Sequence, residues 1–400
     1  MSRIIGLTHR VKKTAEGEAR PTLVLIRESG KTDRALKLEE EADEYDFFVL
    51  GRFPIGYRDV VPGEDLSQFL ARQLQTRKNK ETREEEVTKV PIVFDGLRPG
   101  DTVAMPLGGS GDYLAYAIAR KALALGEGTC LLRLKPVVLK AKRGDEAKDK
   151  DHLLLANLAE RESLLFQPVE VKDLNLIRLR VAFRALTDTM KARIACEQRL
   201  YQLVIGQVFV QAGDCPEGDI KKAYDKLKTT DPGLQALIQH EETCEREMKA
   251  VLLEIPVYRK VFEPIKGVGP RIAARLISSI GDVRLFETAA KLKAFCGVHV
   301  MPDGCFVRRR AGQVANWHPD ARQALYLLAD QFNRRPDSEW GQKLREYKIK
   351  FRETHPNVET NGDGKKKYTD GHIHKMALWR TVTKFTERLW KDWMALESAA

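Results

Sequence analysis

The stretch Pro264–Phe286, PIKGVGPRIAARLISSIGDVRLF, constrains this chain most, because its glycines, proline and apolar spacing admit few conformations. Gly267 and Gly269 flank Val268, and Pro270 is placed to open a helix at its first turn. Ile272, Ala273, Leu276, Ile277 and Ile280 then fall on one helical face. The pattern predicts a helix, a tight turn and a second helix. Glycines let the backbone come close to a partner, and the amides at a helix start can hold a phosphate oxygen. Lys266, Arg271 and Arg275 put positive charge around the same turn. This is a helix–hairpin–helix-like signature for contact with a nucleic-acid backbone, although an ordinary αα turn with a glycine cap has the same outline.

Charge points to the same class of partner. The 400 residues hold 68 Lys plus Arg against 57 Asp plus Glu, a formal net charge of +11 with a pI near 9.2. That balance favours an anionic partner, nucleic acid above all. The length suffices for two or three domains with buried cores. Cysteines stand at 130, 196, 215, 244, 296 and 305 without a Cys-x-x-Cys pair, the pattern of reduced thiols. Cys296, His299 and Cys305 lack the fourth partner that a structural zinc site requires. No signal peptide opens the chain and no apolar segment approaches the length of a membrane span, so a cytoplasmic protein without membrane association is expected.

Before residue 171 short apolar runs alternate with helical patterns. Ile4–Leu7, Thr22–Ile26, Phe47–Leu50, Thr102–Met105 and Cys130–Leu134 each read as a buried strand, and Tyr113–Leu125 as a helix packed on the sheet. Strand, helix, strand implies a parallel pair and an α/β layer fold. Gln73–Lys89 is almost purely polar and charged and reads as a solvated insert or helix, and the polar run Lys140–Asp151 gives way to a helix at His152–Glu160. From Val171 to about Phe262 apolar positions three and four apart predict a long helix, a break at Gly213–Gly218 and a second helix through Leu234–Leu253. That is an antiparallel hairpin or coiled coil suited to homo-oligomerisation, or equally a helical connector folded on its own domain. A helix at Ala321–Phe332, a polar loop at Phe351–Thr369 and a last helix at His372–Leu396 follow, the last carrying Trp379, Trp390 and Trp393 as core residues. The expected domains are 1–170, 171–262 and 263–400.

With these parts in order, the chain resembles the insertion-sequence 110 family of transposases, relatives of the Piv-type DNA invertases. The run IKGVGPRIAARLISSIGDVRLFETAAKLKAFCGV at Ile265–Val298 carries the resemblance most specifically, and ARQALYLLA at Ala321–Ala329 is similar to the helix that follows it in the family. GDYLAYAIARKALALGEGTCLLRLKP and DHLLLANLAERESLLFQPVE sit in the family's order further upstream. The resemblance implies a RuvC/RNase H-like α/β domain, a helical middle and an all-α C-terminal transposase domain. It also implies DNA as a partner in transposition and recombination, and a structured guide RNA that pairs with that DNA.

In the family, acidic residues of the RuvC-like domain bind Mg²⁺, since clustered carboxylates are hard oxygen ligands and two metals clamp an in-line phosphoryl displacement. By motif, the corresponding positions here are Thr8, Pro106, Lys148 and Asp151; Asp145 and Asp149 lie nearby, and Asp112 is a further acid within reach. A lone Asp151 reads as a helix N-cap. The family's serine nucleophile corresponds to Asp303, in VMPDGCF, with Cys305 two residues on as a structural thiol rather than a substitute nucleophile. The glycine turn and the basic segments thus predict nucleic-acid binding by Lys266, Gly267, Gly269, Arg271, Arg275, Arg308, Arg309 and Arg310, with the positions that the resemblance assigns to chemistry replaced and Mg²⁺ needed only if cleavage survives. The basic runs Lys140–Arg143 and Lys365–Lys367 suit further phosphate contacts. Two alternatives remain open: an active recombinase using Asp112, Asp145, Asp149 and Asp151 around one metal, and an architectural or regulatory DNA-binding dimer.

Overall fold

The computed structural model of the chain describes residues 3–11, 19–78, 83, 85–106, 111–126, 128–210, 219–302, 305–308, 316–360, 364 and 366–399. The fold divides into two units, Met1–Leu174 and Asn175–Ala400.

In chain order the first unit holds β1 (Arg3–Thr8), β2 (Thr22–Glu28), β3 (Arg34–Leu38), α1 (Glu41–Tyr45), β4 (Phe53–Asp59), β5 (Gln75–Lys78) and β6 (Glu85–Asp95). Then come β7 (Thr102–Pro106), α2 (Asp112–Leu125), β8 (Cys130–Leu134), α3 (Pro136–Arg143), α4 (Asp151–Arg161) and β9 (Gln167–Pro168). The main sheet runs β3-β2-β1-β7-β8-β9. β1, β2 and β3 form an antiparallel meander, β1 pairs β7 and β7 pairs β8 in parallel, and β9 closes the edge antiparallel to β8.

Side-chain alternation sorts this sheet into two cores. Ile5 and Leu7, with Val103, Met105 and Leu131, pack against Leu114, Ala115 and Ile118 of α2. Ile4, Ala104 and Leu134 face the other way, onto Leu139 of α3 and Leu155 and Leu158 of α4. Burial on both faces is why these strands read as near-continuous apolar runs. Gly6 is required on the second face: a Cβ there would lie 2.0 Å from the His152 carbonyl oxygen, so only glycine lets the first turn of α4 cross β1. At the other end of β1, Arg3 is buried and binds Asp101 through Nε (2.9 Å) and Nη2 (2.6 Å) and Asp95 through Nη1 (2.9 Å).

Two expectations fail here. Phe47–Leu50 is not a strand; Asp46–Leu50 is a wide helical turn that continues α1, with Phe47 and Phe48 fully buried. A short apolar run has no periodicity that separates a buried strand from a buried helical turn. Gln73–Lys89 is solvated over most of its described residues, but it holds strands in place of the expected helix: its β5 and the first part of β6 pair antiparallel, in a small sheet ordered β4-β6-β5. Arg77 stands opposite Glu86 and Lys78 opposite Glu85, so cross-strand charge pairs do the work that apolar alternation usually does.

The second unit is helical. α5 (Val171–Val210) runs into it, and α6 (Ile220–Thr230), α7 (Pro232–Leu253), α8 (Pro270–Ile280), α9 (Ala289–Phe295), α10 (Pro319–Asn333) and α11 (Glu339–Thr354) follow. The two-residue strands β10 (Glu359–Thr360) and β11 (Lys366–Lys367) pair antiparallel before α12 (Asp370–Ser398). Partners descend along α7 as they ascend along α5: Arg178 binds Glu254 at 2.7 Å and Arg193 binds Glu241 at 2.6 Å. The hairpin is therefore antiparallel. Its apolar face has no core of its own; Leu179, Leu186, Cys244 and Met248 belong to the same cluster as Ala273, Leu276, Leu325, Phe332, Phe385 and Trp393 of the later helices. No helix among the described residues is long and apolar enough to cross a membrane.

Candidate nucleic-acid interface

The Gly-Val-Gly-Pro turn is built as its residues demand. Val268 is buried, Gly267 has φ +106, a value that L side chains rarely adopt, and Pro270 takes the first position of α8. Gly269 is different: its φ is −80, nothing lies within 4 Å of where its Cβ would be, and no side chain caps the helix it opens. The backbone does not need a glycine at 269, and its absence of side chain leaves the start of α8 open. An open cavity of about 460 Å³ lies at this turn, lined among others by Gly267, Gly269, Arg271, Gln331 and Arg335.

The predicted cations around the turn are not equivalent. Lys266 is exposed. Arg271 is spoken for: its Nη2 binds Glu245 at 2.5 Å and Glu241 at 3.1 Å, both on α7. The hydrogen bond from Arg271, helped by Lys249, brings the Glu245 carboxyl down to about 2. Arg275 turns inward, with its guanidinium carbon 5.5 Å from the Phe183 ring centre, and burial lowers its pKa. Arg275 is therefore not a solvent-presented cation, whereas Arg271 stays exposed but is paired; α7 and α5 reach them, and no local pattern announces that. In their place stands Arg335, an exposed residue at the end of α10 whose Cδ would lie 3.5 Å from a Cβ on Gly267. Sequence reading missed it, although the Arg-Arg pair at 334 and 335 was the available signal.

Arg308 is exposed, whereas Arg309, Arg310 and Asp303 lie outside the described residues. Cys305 is exposed, while complete burial pushes the Cys296 thiol up to about 12. Arg322 of α10 holds the backbone just after each of these cysteines. Its guanidinium lies 4.3 Å from the Trp317 ring centre and 4.8 Å from that of Trp379, and donates to the carbonyls of Gly297 and Val307, each at 2.8 Å. Trp393 is buried, and Trp379 and Trp390 are half-buried against the same core.

In the first unit, two of the four positions matched to metal ligands lie at the carboxyl ends of the parallel strands. Thr8 ends β1 and Pro106 ends β7. The Thr8 hydroxyl is buried with no hydrogen-bond partner among the described residues. Lys148 sits in an exposed turn, as do Asp145 and Asp149. Asp151 is not the N-cap of α4. Lys150 holds that position, and Asp151, at the first helical residue, takes Arg143 in a two-pronged pair at 2.6 and 2.9 Å. Asp112, 1% exposed, is paired with Arg133 at 2.9 Å. Arg133 follows Leu131 on the α2 face, whereas Asp151 belongs to α4 on the other. The two buried acids thus answer to separate guanidinium groups on separate faces. No group of three His, Cys, Asp or Glu able to hold a metal ion occurs among the described residues.

Residues 259–344, from the helical turn before the Gly-Val-Gly-Pro sequence into α11, match the family model described as "Transposase IS116/IS110/IS902 family". This segment is similar to that family. The match takes in the open turn, the paired Arg271 and the Arg322 clamp, so all three are features of the matched segment itself. No curated protein matches the chain.

Proposed function

We propose that the chain is a transposase-family protein that binds DNA during transposition, and that its first unit does not perform metal-dependent strand cleavage. The family match of residues 259–344 carries the reading. Its DNA-binding part is supported by the open start of α8, beside the exposed Lys266 and Arg335, and by the +11 charge. Loss of cleavage is supported by the chemistry of the strand ends. Mg²⁺ wants several carboxylate and water oxygens, and the buried Asp112 and Asp151 already have arginine partners. A RuvC-like ancestry agrees with the antiparallel β1–β3 meander joined to parallel β7 and β8.

Two further parts of the reading concern partners. A structured guide RNA is the ligand that family resemblance implies, and the basic runs at Lys140–Arg143 and Lys366–Lys367 suit its phosphates. Homo-oligomerisation through the 171–262 helices is supported by the end of α5, where Phe209 is 78% and Val210 87% exposed.

One experiment tests these parts together. The chain is expressed with its native flanking DNA, and whatever nucleic acid stays bound is sequenced. The same material is then given flanking DNA and Mg²⁺. A bound, discrete RNA without DNA cleavage is the expected result. Mg²⁺-dependent nicking lost on Asp151→Asn would sink the cleavage part, and purification free of any nucleic acid, with no DNA binding at low salt, would sink the binding part.

A further inference from the structure

Away from the Gly-Val-Gly-Pro turn, three rings in the second unit lie parallel. Tyr368 stacks on His355 with ring centres 3.7 Å apart and planes 5° apart, and on His372 at 5.5 Å and 7°. The stack is held by its backbone. Tyr368 has φ +55, unusual for a side-chain-bearing residue, and its amide donates to His372 Nδ1 at 2.9 Å. Arg352 Nη1 donates to the carbonyls of Tyr368 (3.0 Å) and His355 (3.3 Å), while its Nη2 binds Asp370 at 2.6 Å. A strained tyrosine locked between two imidazoles is a costly way to close a polar loop, and such outliers mark functional sites.

The surroundings are cationic. Arg308, Lys367 and Lys375 are exposed, and each acts electrostatically on His372. Burial first, and then these charges, lower the His372 pKa, so the ring is neutral at pH 7. Glu359 stands opposite Lys367 in the β10–β11 pair and offsets part of its charge. All three rings are half-buried rather than enclosed.

We propose that the His355–Tyr368–His372 stack is a platform on which an unpaired base of a single-stranded nucleic acid stacks, with Arg308, Lys367 and Lys375 taking the flanking phosphates. The proposal rests on the nucleic-acid reading above and adds to it a site and a substrate form. Duplex bases have no free face to offer, whereas every unpaired base does, and stacking of this kind tolerates any sequence. The tyrosine is already parallel to its neighbours, so a base extends an existing column and reorders nothing.

The test compares the full chain binding a short thymidine oligonucleotide with one of equal length made of abasic sites, by fluorescence anisotropy. The base-bearing strand is expected to bind about tenfold tighter, and Tyr368→Leu to abolish that preference while Tyr368→Trp keeps it. Should Tyr368→Leu not fold, His355→Leu tests the same column. Lys375→Gln is expected to weaken both oligonucleotides alike and to lower the salt slope. Equal affinity of the unmodified chain for the two strands overturns this proposal and leaves DNA binding standing. Affinity for neither strand also overturns this proposal, and the binding of native flanking DNA tests the reading it rests on. A preference that survives in Tyr368→Leu and His355→Leu also overturns it, because the bases then stack elsewhere.

Discussion

The strand ends of the first unit and the glycine turn of the second both combine arginines with carboxylates, yet they use them in opposite ways. In the first unit, the side chains of Arg133 and Asp112 are 7% and 1% exposed, and those of Arg143 and Asp151 11% and 8%. In the second, Arg271 keeps 44% of its side chain in solvent while binding Glu241 and Glu245, and Lys266 and Arg335 stand open beside it. Buried pairs of the first kind are committed: taking away one partner strands a charge in a low dielectric. Half-exposed pairs of the second kind are screened, and their cation can exchange a carboxylate for a phosphate at little cost. Charge in the first unit is a structural element, and charge in the second is available for binding.

That contrast can be broken most directly at Asp151. Asp151→Ala is expected to lower the stability of the chain by about 3–5 kcal/mol in urea unfolding, because it leaves Arg143 buried and unpaired. Asp151→Leu combined with Arg143→Met is expected to recover most of that loss. A single Asp151→Ala variant more stable than the parent would mean that the carboxylate was a strained ligand rather than a structural partner.

A smaller effect sharpens the other side. Lys266→Gln and Arg335→Gln are each expected to take about one unit from the slope of log affinity against log salt, and to weaken DNA of all sequences alike. Arg271→Gln should change that slope less, since its charge is already offset by Glu241 and Glu245. If Arg271→Gln proves the more damaging to binding, Arg271 exchanges its carboxylates for phosphate and the offset by Glu241 and Glu245 does not limit it.

The same cluster has a pH signature. The folded-state pKa of Glu245 is depressed to about 2, so its contribution is complete above the ordinary glutamate value near 4.5 and fades as pH falls from there towards 2. Acid titration of thermal stability should show this loss, and Arg271→Gln should remove it. A titration unchanged by that substitution would falsify the assignment of the shift to Arg271.

The smallest expected effect is the most specific. Gly269→Ser should leave stability unchanged or raise it by a few tenths of a kcal/mol, because serine is a good N-cap and the position has room. The same change should weaken DNA binding, since the hydroxyl then occupies the amides a phosphate needs. Gly267→Ser, by contrast, should cost stability through its φ of +106. Undiminished binding by Gly269→Ser would reduce the turn to an ordinary helix cap.

Local periodicity was legible from sequence wherever one face of an element is buried continuously. The spacing of Ala273, Leu276, Ile277 and Ile280 marks α8, and the runs Ile4–Leu7, Thr102–Met105 and Cys130–Leu134 mark the sheet that covers both its faces. The same logic fails at Phe47–Leu50, too short to carry a period, and at β5–β6, where charge pairing replaces apolar alternation. The candidate site was legible as a turn and not as a charge distribution. Lys266, Gly267 and Gly269 are set by neighbours within a few residues, so the sequence by itself determined their roles in the backbone.

Everything that decides which charges are available lies far away along the chain. Arg271 meets Glu245 across 26 residues, Asp112 meets Arg133 across 21, and Gly267 acquires Arg335 only because α8 packs on α10. An arginine's side chain is long and its charge is satisfied by whatever carboxylate the fold brings within 3 Å or so, a distance no spacing in sequence encodes. The chain's composition determined that this protein carries excess positive charge; tertiary structure decided which of those charges face a partner and which hold the protein together.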